Sequence, residues 1–204
     1  KDMTKGFEWY LKSAENGNAD AMFFVGLCYA NGDGVTQNFT EAFEWWQKSA
    51  ENGHSVGMQN VGWCYENGQG VTQNNAKAFE WYLKAAEKGN TEAMFDVGFC
   101  YENGQGVAKD MTKAFEWYLK AANNGHADAM YCVGMCYHKG QDVTQDKTKA
   151  FQWFLKAAEK GHAKAMHNVG VCYDKGEGTT QSYTKAFEWT WKGANNGCAD
   201  SMRN

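Results

Sequence analysis

A step of 36 residues runs through the chain without insertion or deletion, and it limits what the chain can fold into more than any other feature. Trp9, Trp45, Trp81, Trp117, Trp153 and Trp189 mark it, as do Gly17, Gly53, Gly89, Gly125, Gly161 and Gly197. Gly26, Gly62, Gly98, Gly134 and Gly170 keep the same step, and so do Cys28, Cys64, Cys100, Cys136 and Cys172. A period of this size belongs to a stack of small supersecondary units, each of which contacts its neighbours, rather than to one globule with a unique core.

Each step holds two apolar stripes. Between Ala19 and Asn31 the apolar residues fall at Ala21, Met22, Val25, Cys28 and Tyr29, the spacing of one face of an α-helix. A second helix, from about Phe39 to Asn52, carries Ala42, Phe43, Trp45, Trp46, Ser49 and Ala50 on one side. Small residues beside large ones fit ridges that interdigitate between closely packed helices. Asp2, Asn38, Asn74, Asp110, Asp146 and Ser182 all precede the second helix, and each can accept an orphan backbone N–H as an N-cap. Asn38-Phe39-Thr40 also matches a glycosylation acceptor, but the cap explains Asn38 better. Gly17 and its equivalents stand where helices end in the left-handed region, and the turn Asn31-Gly32-Asp33-Gly34-Val35 supplies that conformation between the two helices of a repeat. Asp142 replaces the second glycine of this turn in one repeat, where a strained but intact turn is expected.

One helix pair cannot bury both stripes, whereas stacked pairs bury a continuous core. The expected fold is therefore all-α: an α/α superhelical solenoid of about five 36-residue helix-turn-helix repeats with partial units at its ends. There is no proline and no Ser-rich or Gly-Ser linker to mark an internal boundary, so residues 1–204 read as a single solenoid domain. It comprises a terminal second helix (1–17), full repeats at 18–53, 54–89, 90–125, 126–161 and 162–197, and a partial repeat at 198–204. The array starts and stops inside a unit, which leads us to expect a native protein that continues beyond both ends.

The pattern A-x-A-M-x-x-V-G-x-C-Y-x-x-G-x-G-V, seen at Ala19 to Val35, is followed by K-A-F-E-W-Y-L-K-A-A-E-x-G, seen at Lys77 to Gly89. Together they resemble the Sel-1-like repeat (SLR) family, a relative of the tetratricopeptide repeats, over essentially the whole chain. The resemblance implies a right-handed superhelix and an adaptor or scaffold that assembles protein complexes, including signalling and quality-control proteins. It also implies two alternatives: a structural or regulatory array in a larger protein, as in fungal relatives with kinase-like domains, and, more remotely, the hydrolase-like activity of distant bacterial relatives. Cysteine-rich bacterial members bridge their paired helices with two cysteines per unit. Here the regular cysteine occurs once per repeat, with Cys132 and Cys198 extra, so that bridge is absent.

The remaining chemistry is thin. Equivalent cysteines in adjacent repeats should lie roughly 10 Å apart, a helix diameter, which exceeds the reach of a disulfide. They read as small buried apolar groups beside the recurring Tyr in a reducing, cytoplasmic setting. Cys132 and Cys136, with His138 and His167, lack the matched ligand pairs of a metal site. His54, His126 and His162 share one position with Asn18 and Asn90, and that interchange points to a local hydrogen-bonding or capping role. The glycine turn lacks the Lys and Ser/Thr of a phosphate-binding loop, and no catalytic triad or carboxylate pair is legible. No enzyme, metal or cofactor is expected. A net charge of −4, with acids and bases interspersed, offers no patch for nucleic acid. No apolar run reaches the roughly 20 residues of a membrane span.

Function is therefore sought where the repeat fails. On the first helix, positions 20, 23, 24, 27 and 31 and their equivalents differ between repeats and share one face, opposite the stacking stripe. One row holds Phe23, Gln59, Phe95, Tyr131 and His167, and the row four residues on holds Leu27, Trp63, Phe99, Met135 and Val171. Between them lie Phe24, Asn60, Asp96, Cys132 and Asn168. By similarity to tetratricopeptide arrays this face lines the concave surface, where aromatic anchors and amides suit an extended peptide or a partner helix. Glu92, Asp96 and Asp128 occupy the middle of the chain on this face, and Lys139, Lys164 and Lys175 its C-terminal repeats. The bland alternative is that the row from Leu27 to Val171 merely packs against the next repeat.

Overall fold

The computed structural model describes residues 3–140 and 143–197, so Asp2, Asp142 and the partial repeat from Cys198 lie outside the described residues. Among the described residues there are eleven α-helices and no strand: α1 (Met3–Glu15), α2 (Ala19–Asn31), α3 (Phe39–Glu51), α4 (Ser55–Asn67), α5 (Asn75–Glu87), α6 (Thr91–Asn103), α7 (Met111–Asn123), α8 (Ala127–Lys139), α9 (Lys147–Glu159), α10 (Ala163–Lys175) and α11 (Tyr183–Asn195). The chain divides into two compact blocks, Lys1–Lys109 and Asp110–Asn204. Within each block every helix packs on the next one in sequence, α1 through α6 in the first and α7 through α11 in the second.

Caps set the helix boundaries. The Asn38 side chain accepts from the N–H groups of Thr40 and Glu41 at 3.0 and 3.3 Å. Asn74, Asp110 and Asp146 accept from the third residue on at 2.9–3.0 Å. Each second helix then closes on a left-handed glycine: Gly53 has φ +88°, its N–H donates to Ala50 O at 2.9 Å, and the His54 N–H reaches back to Ser49 O at 3.2 Å. This is a Schellman closure, and it leaves the next residue free to cap the following helix.

That next residue is the shared Asn/His position. Asn18 and Asn90 accept through Oδ1 from Ala21 and Ala93 at 2.8 and 2.9 Å. His54, His126 and His162 accept through Nδ1 from Gly57, Ala129 and Ala165 at 3.0, 3.2 and 3.0 Å. The capping role expected from the Asn interchange is what the structure holds. A histidine can cap this way only while Nδ1 is unprotonated. Burial holds the His162 imidazole below its ordinary value, partly offset by Asp128, whose carboxylate lies 3.3 Å from Nε2. A depressed histidine takes up its proton more readily when unfolded, so stability is full above the ordinary value of 6.5 and falls as pH drops through the folded one. His162→Asn, which caps without titrating, is expected to narrow the stability difference between pH 7.5 and pH 5 by up to about 1 kcal/mol. Thermal melts at the two pH values check it, and an unchanged difference between them would show that the cap is not the sensitive element.

The core repeats as the caps do. Val25, Val61, Val97, Val133 and Val169 are all 0% exposed. On the second helices Ala42, Phe43, Trp46, Ser49 and Ala50 are buried, with the Ser49 hydroxyl donating to Ala19 O at 2.7 Å. Successive repeats lock edge to face: Phe7 meets Tyr29, Phe43 meets Tyr65, Phe79 meets Tyr101, Phe115 meets Tyr137 and Phe151 meets Tyr173, with ring centroids 5.2–5.7 Å apart. Each contact contributes about 0.5–1.5 kcal/mol beyond its buried area. Gly62 lets α4 approach α5 so closely that a β-carbon there would lie 2.6 Å from the Tyr82 ring.

Two sequence assignments change. Trp45, expected in the core stripe, is half-buried on its flank, and the Lys48 ammonium sits 4.1 Å from its ring centroid. Lys84, Lys120, Lys156 and Lys192 cover Trp81, Trp117, Trp153 and Trp189 in the same way at 3.8–4.6 Å, so the most conspicuous repeated residue is a cation–π platform rather than the centre of the core. Of the regular cysteines, Cys64, Cys100 and Cys172 are buried, whereas Cys28 and Cys136 are only half-buried. None of the six described cysteines is in a disulfide. Burial pushes the thiols of Cys64 and Cys100 up to about 12 and that of Cys172 to about 11, which keeps them protonated and unreactive.

Candidate functional site

In the block Lys1–Lys109 the variable face is carried by α2, α4 and α6, and the structure separates its rows. Phe23 is half-buried and packs against the cap of the next repeat, its centroid 5.0 Å from the His54 ring. Its carbonyl accepts from the Trp46 indole at 3.2 Å. Gln59, Asn60, Phe95 and Leu27 are half-buried as well. By contrast, Phe24, Trp63 and Phe99 are 39%, 39% and 41% exposed. Tyr10 from α1 stacks on Phe24, with 5.0 Å between centroids and 20° between planes, and so extends the aromatic surface by one helix.

Polar groups on α4 and α6 accompany these rings. Gln59 Nε2 donates to Asp96 Oδ2 at 3.1 Å, bridging adjacent repeats. The Tyr82 hydroxyl donates to Glu66 Oε2 at 2.7 Å. Burial raises Asp96 to about 7, the fields of Glu92 and Glu66 add to the rise, and the Gln59 hydrogen bond opposes it. An acid raised in the folded state holds a proton that the unfolded chain has released, so stability falls as pH rises from about 4 to about 7 and stays reduced above that. Asp96→Asn keeps the size and an acceptor for Gln59. Water still reaches this carboxyl, so we expect a gain of only about 2 kcal/mol at pH 8 and none at pH 4. Chemical denaturation at the two pH values measures this, and equal effects at both would remove Asp96 as the titrating group.

In the block Asp110–Asn204 the same face, on α8 and α10, is more closed. Tyr131 stacks on the His162 ring at 4.5 Å and 20° and leans on Phe154 at 5.9 Å. The Met135 sulfur receives the Asn168 amide at 3.7 Å. Cys132, His167 and Val171 are half-buried, and the His167 Nδ1 is buried without a hydrogen-bond partner. Between α10 and α11 lies an open groove of about 740 Å³, lined by Val171, Asp174, Tyr183, Phe187 and Trp191 among others. No group of three or more His, Cys, Asp or Glu among the described residues is placed to hold a metal ion.

Two contributors to the first block's face were not singled out from sequence. Glu66 occupies a position held by Ala30, Glu102, His138 and Asp174 in other repeats, so the criterion of variation could have found it. Tyr10 aligns with Trp46 and Tyr82, which are buried against Gly26 and Gly62 of the helices that precede theirs; no described helix precedes α1, and Tyr10 is 40% exposed.

The chain is similar to proteins already known. The Sel1 repeat family model matches residues 1–18, 19–54, 55–90, 91–126, 127–162 and 163–198, each one residue later than the repeats delimited from sequence. A protective antigen of uropathogenic Escherichia coli strains, with an SLR fold, is 33% identical, with a TM-score of 0.94 over 99% of this chain and 43% of its own. The chain thus spans less than half the length of that antigen. A Sel1 repeat protein from Oxalobacter formigenes is 30% identical, with a TM-score of 0.86 over 100% of this chain and 86% of its own. An immunity protein from Pseudomonas aeruginosa, 20% identical with a TM-score of 0.60 over 96% of this chain and 75% of its own, shares the fold alone. No curated protein matches.

Proposed function

Because this chain belongs to the Sel1 repeat family, whose α/α solenoids of 36-residue repeats act as protein-interaction scaffolds, we propose that it binds a peptide or partner protein on its first-helix face and is not a catalyst. The observation that carries this reading is the exposure of Phe24, Trp63 and Phe99, at 39–41%, on helices whose other faces are buried. Large rings left in water on a rigid frame provide contact area at little entropic cost, and amides and carboxylates among them pair with a partner's backbone and charges. The positions that carry recognition are Phe24, Leu27, Asn60, Trp63, Asp96 and Phe99, with Phe23, Gln59 and Phe95 supporting them from beneath. On the second block the corresponding positions are Tyr131, Met135, His167, Asn168 and Val171. Free cysteines with raised thiols fit a reducing, cytoplasmic setting. No described helix is long and apolar enough to cross a membrane.

Affinity purification with the intact chain, compared with Phe24→Ala/Trp63→Ala/Phe99→Ala, tests the reading. The triple variant is expected to keep its helix content and to lose its specific partners. Identical partner lists would sink the face as a recognition site. A collapse in thermal stability would show instead that these rings belong to the core.

A further inference from the structure

Charge is not evenly shared among the helices of the first block. α2, α4 and α6 carry Asp20, Glu66, Glu92, Asp96 and Glu102 and no Lys or Arg. The block's helical lysines, Lys5, Lys12, Lys48, Lys77 and Lys84, all lie on α1, α3 and α5, and Lys48 and Lys84 lie over the rings of Trp45 and Trp81. On α8 and α10 the pattern is mixed: Asp128 and Asp174 are accompanied by Lys139, Lys164 and Lys175. The exposed aromatic surface of the first block thus lies on helices that carry acids and no Lys or Arg, although the Asp20 carboxylate faces His54 Nε2 at 3.4 Å.

We propose that this face, taken as the recognition site above, selects a basic partner segment: apolar side chains rest on Phe24, Trp63 and Phe99, and a Lys or Arg head reaches Asp96 and Glu66. The geometry favours that occupant over an acidic or neutral one. Trp63 and Phe99 flank these carboxylates in sequence on α4 and α6, and exposed indole and phenyl faces attract cations, as the chain's own Trp–Lys pairs illustrate. Asp96 is desolvated and lies in the fields of Glu66 and Glu92, so an arriving cation relieves a strain that an anion would worsen. Complementary charge of this kind sets partner choice and approach rate more than total affinity.

The test is selection from a random dodecapeptide phage library on the purified full chain. Glu66→Gln/Asp96→Asn removes two acidic groups from the face, while Glu44→Gln/Glu80→Gln removes two from exposed sites on α3 and α5. The amides keep acceptors for Tyr82 and Gln59, and circular dichroism verifies the fold. Peptides selected by the wild type are expected to be enriched in Lys and Arg beside apolar residues. They should bind Glu66→Gln/Asp96→Asn about tenfold more weakly and Glu44→Gln/Glu80→Gln within about twofold of wild type, since distant exposed charges are screened. Equal losses with both pairs would reduce the preference to net charge and overturn the proposal. Neutral or acidic peptides that are lost with Phe24→Ala/Trp63→Ala/Phe99→Ala would overturn the basic partner and leave the recognition face standing. Absence of any selected peptide, together with unchanged partner lists, would overturn both. Self-association of the wild type abolished by Glu66→Gln/Asp96→Asn would assign the face to a second copy instead.

Discussion

Gly70→Ala is expected to destabilise the chain by about 3 kcal/mol or more, while Gly68→Ala, two residues away in the same turn, costs about 1–2 kcal/mol. Both glycines are left-handed, with φ of +72° and +65°, so an added methyl is strained at either. Their surroundings differ. A β-carbon at Gly68 would meet nothing nearer than 3.4 Å, whereas one at Gly70 would overlap the backbone carbonyl of Phe39 at the start of α3. Backbone at a helix start cannot swing aside as a side chain does, so the turn must lift away from the preceding repeat. Urea denaturation followed by tryptophan fluorescence measures both costs. Equal costs would mean that the turn yields freely and that its close seat on α3 contributes nothing.

Phe151→Ala should cost about 3–4 kcal/mol, and Phe187→Ala less than about 0.5 kcal/mol, although both phenylalanines end the same T-K-A-F sequence. Phe151 is 9% exposed and meets Tyr173 edge-on at 5.2 Å. Phe187, on α11, is 72% exposed, as Tyr183 and Trp191 beside it are 69% and 60% exposed. Truncation of Phe151 removes a packed ring and leaves a cavity, whereas truncation of Phe187 removes a ring already in water. If Phe187→Ala melts the chain as readily as Phe151→Ala, the α11 face is covered by something not described here.

This pair of rings shows what the period could and could not convey. Helix ends were legible because caps and left-handed glycines act through bonds a few residues long: α2 runs from Ala19 to Asn31 as the sequence predicts, and α3 ends one residue before the expected Asn52. Burial was less legible, since it depends on which neighbour is present. The helical stripe places Trp45 in the core, yet it lies on a flank under Lys48, and repetition assigns Phe187 the environment of Phe151, yet Phe187 faces solvent. The candidate face was found as a row of exceptions, but the division within it was not. Phe23 and Tyr131 turn onto the cap histidines of the following repeats, a contact 31 residues away in sequence, while Trp63 and Phe99 do not. Asp96 was named as one of the variable positions. Its perturbed acidity comes first from burial, with the fields of Glu92 and Glu66 adding to it, and periodicity alone shows neither the burial nor the approach of Glu66 from the neighbouring first helix.

The one regular cysteine in each repeat has a practical consequence. With Cys64, Cys100 and Cys172 free, buried and held as thiols, an alkylating reagent reaches them only through transient opening of the repeats that enclose them. The chain therefore carries its own footprinting probes in three of its five repeats. Mass spectrometry of their modification rates would read out which part of the array breathes first and whether a bound partner quiets it.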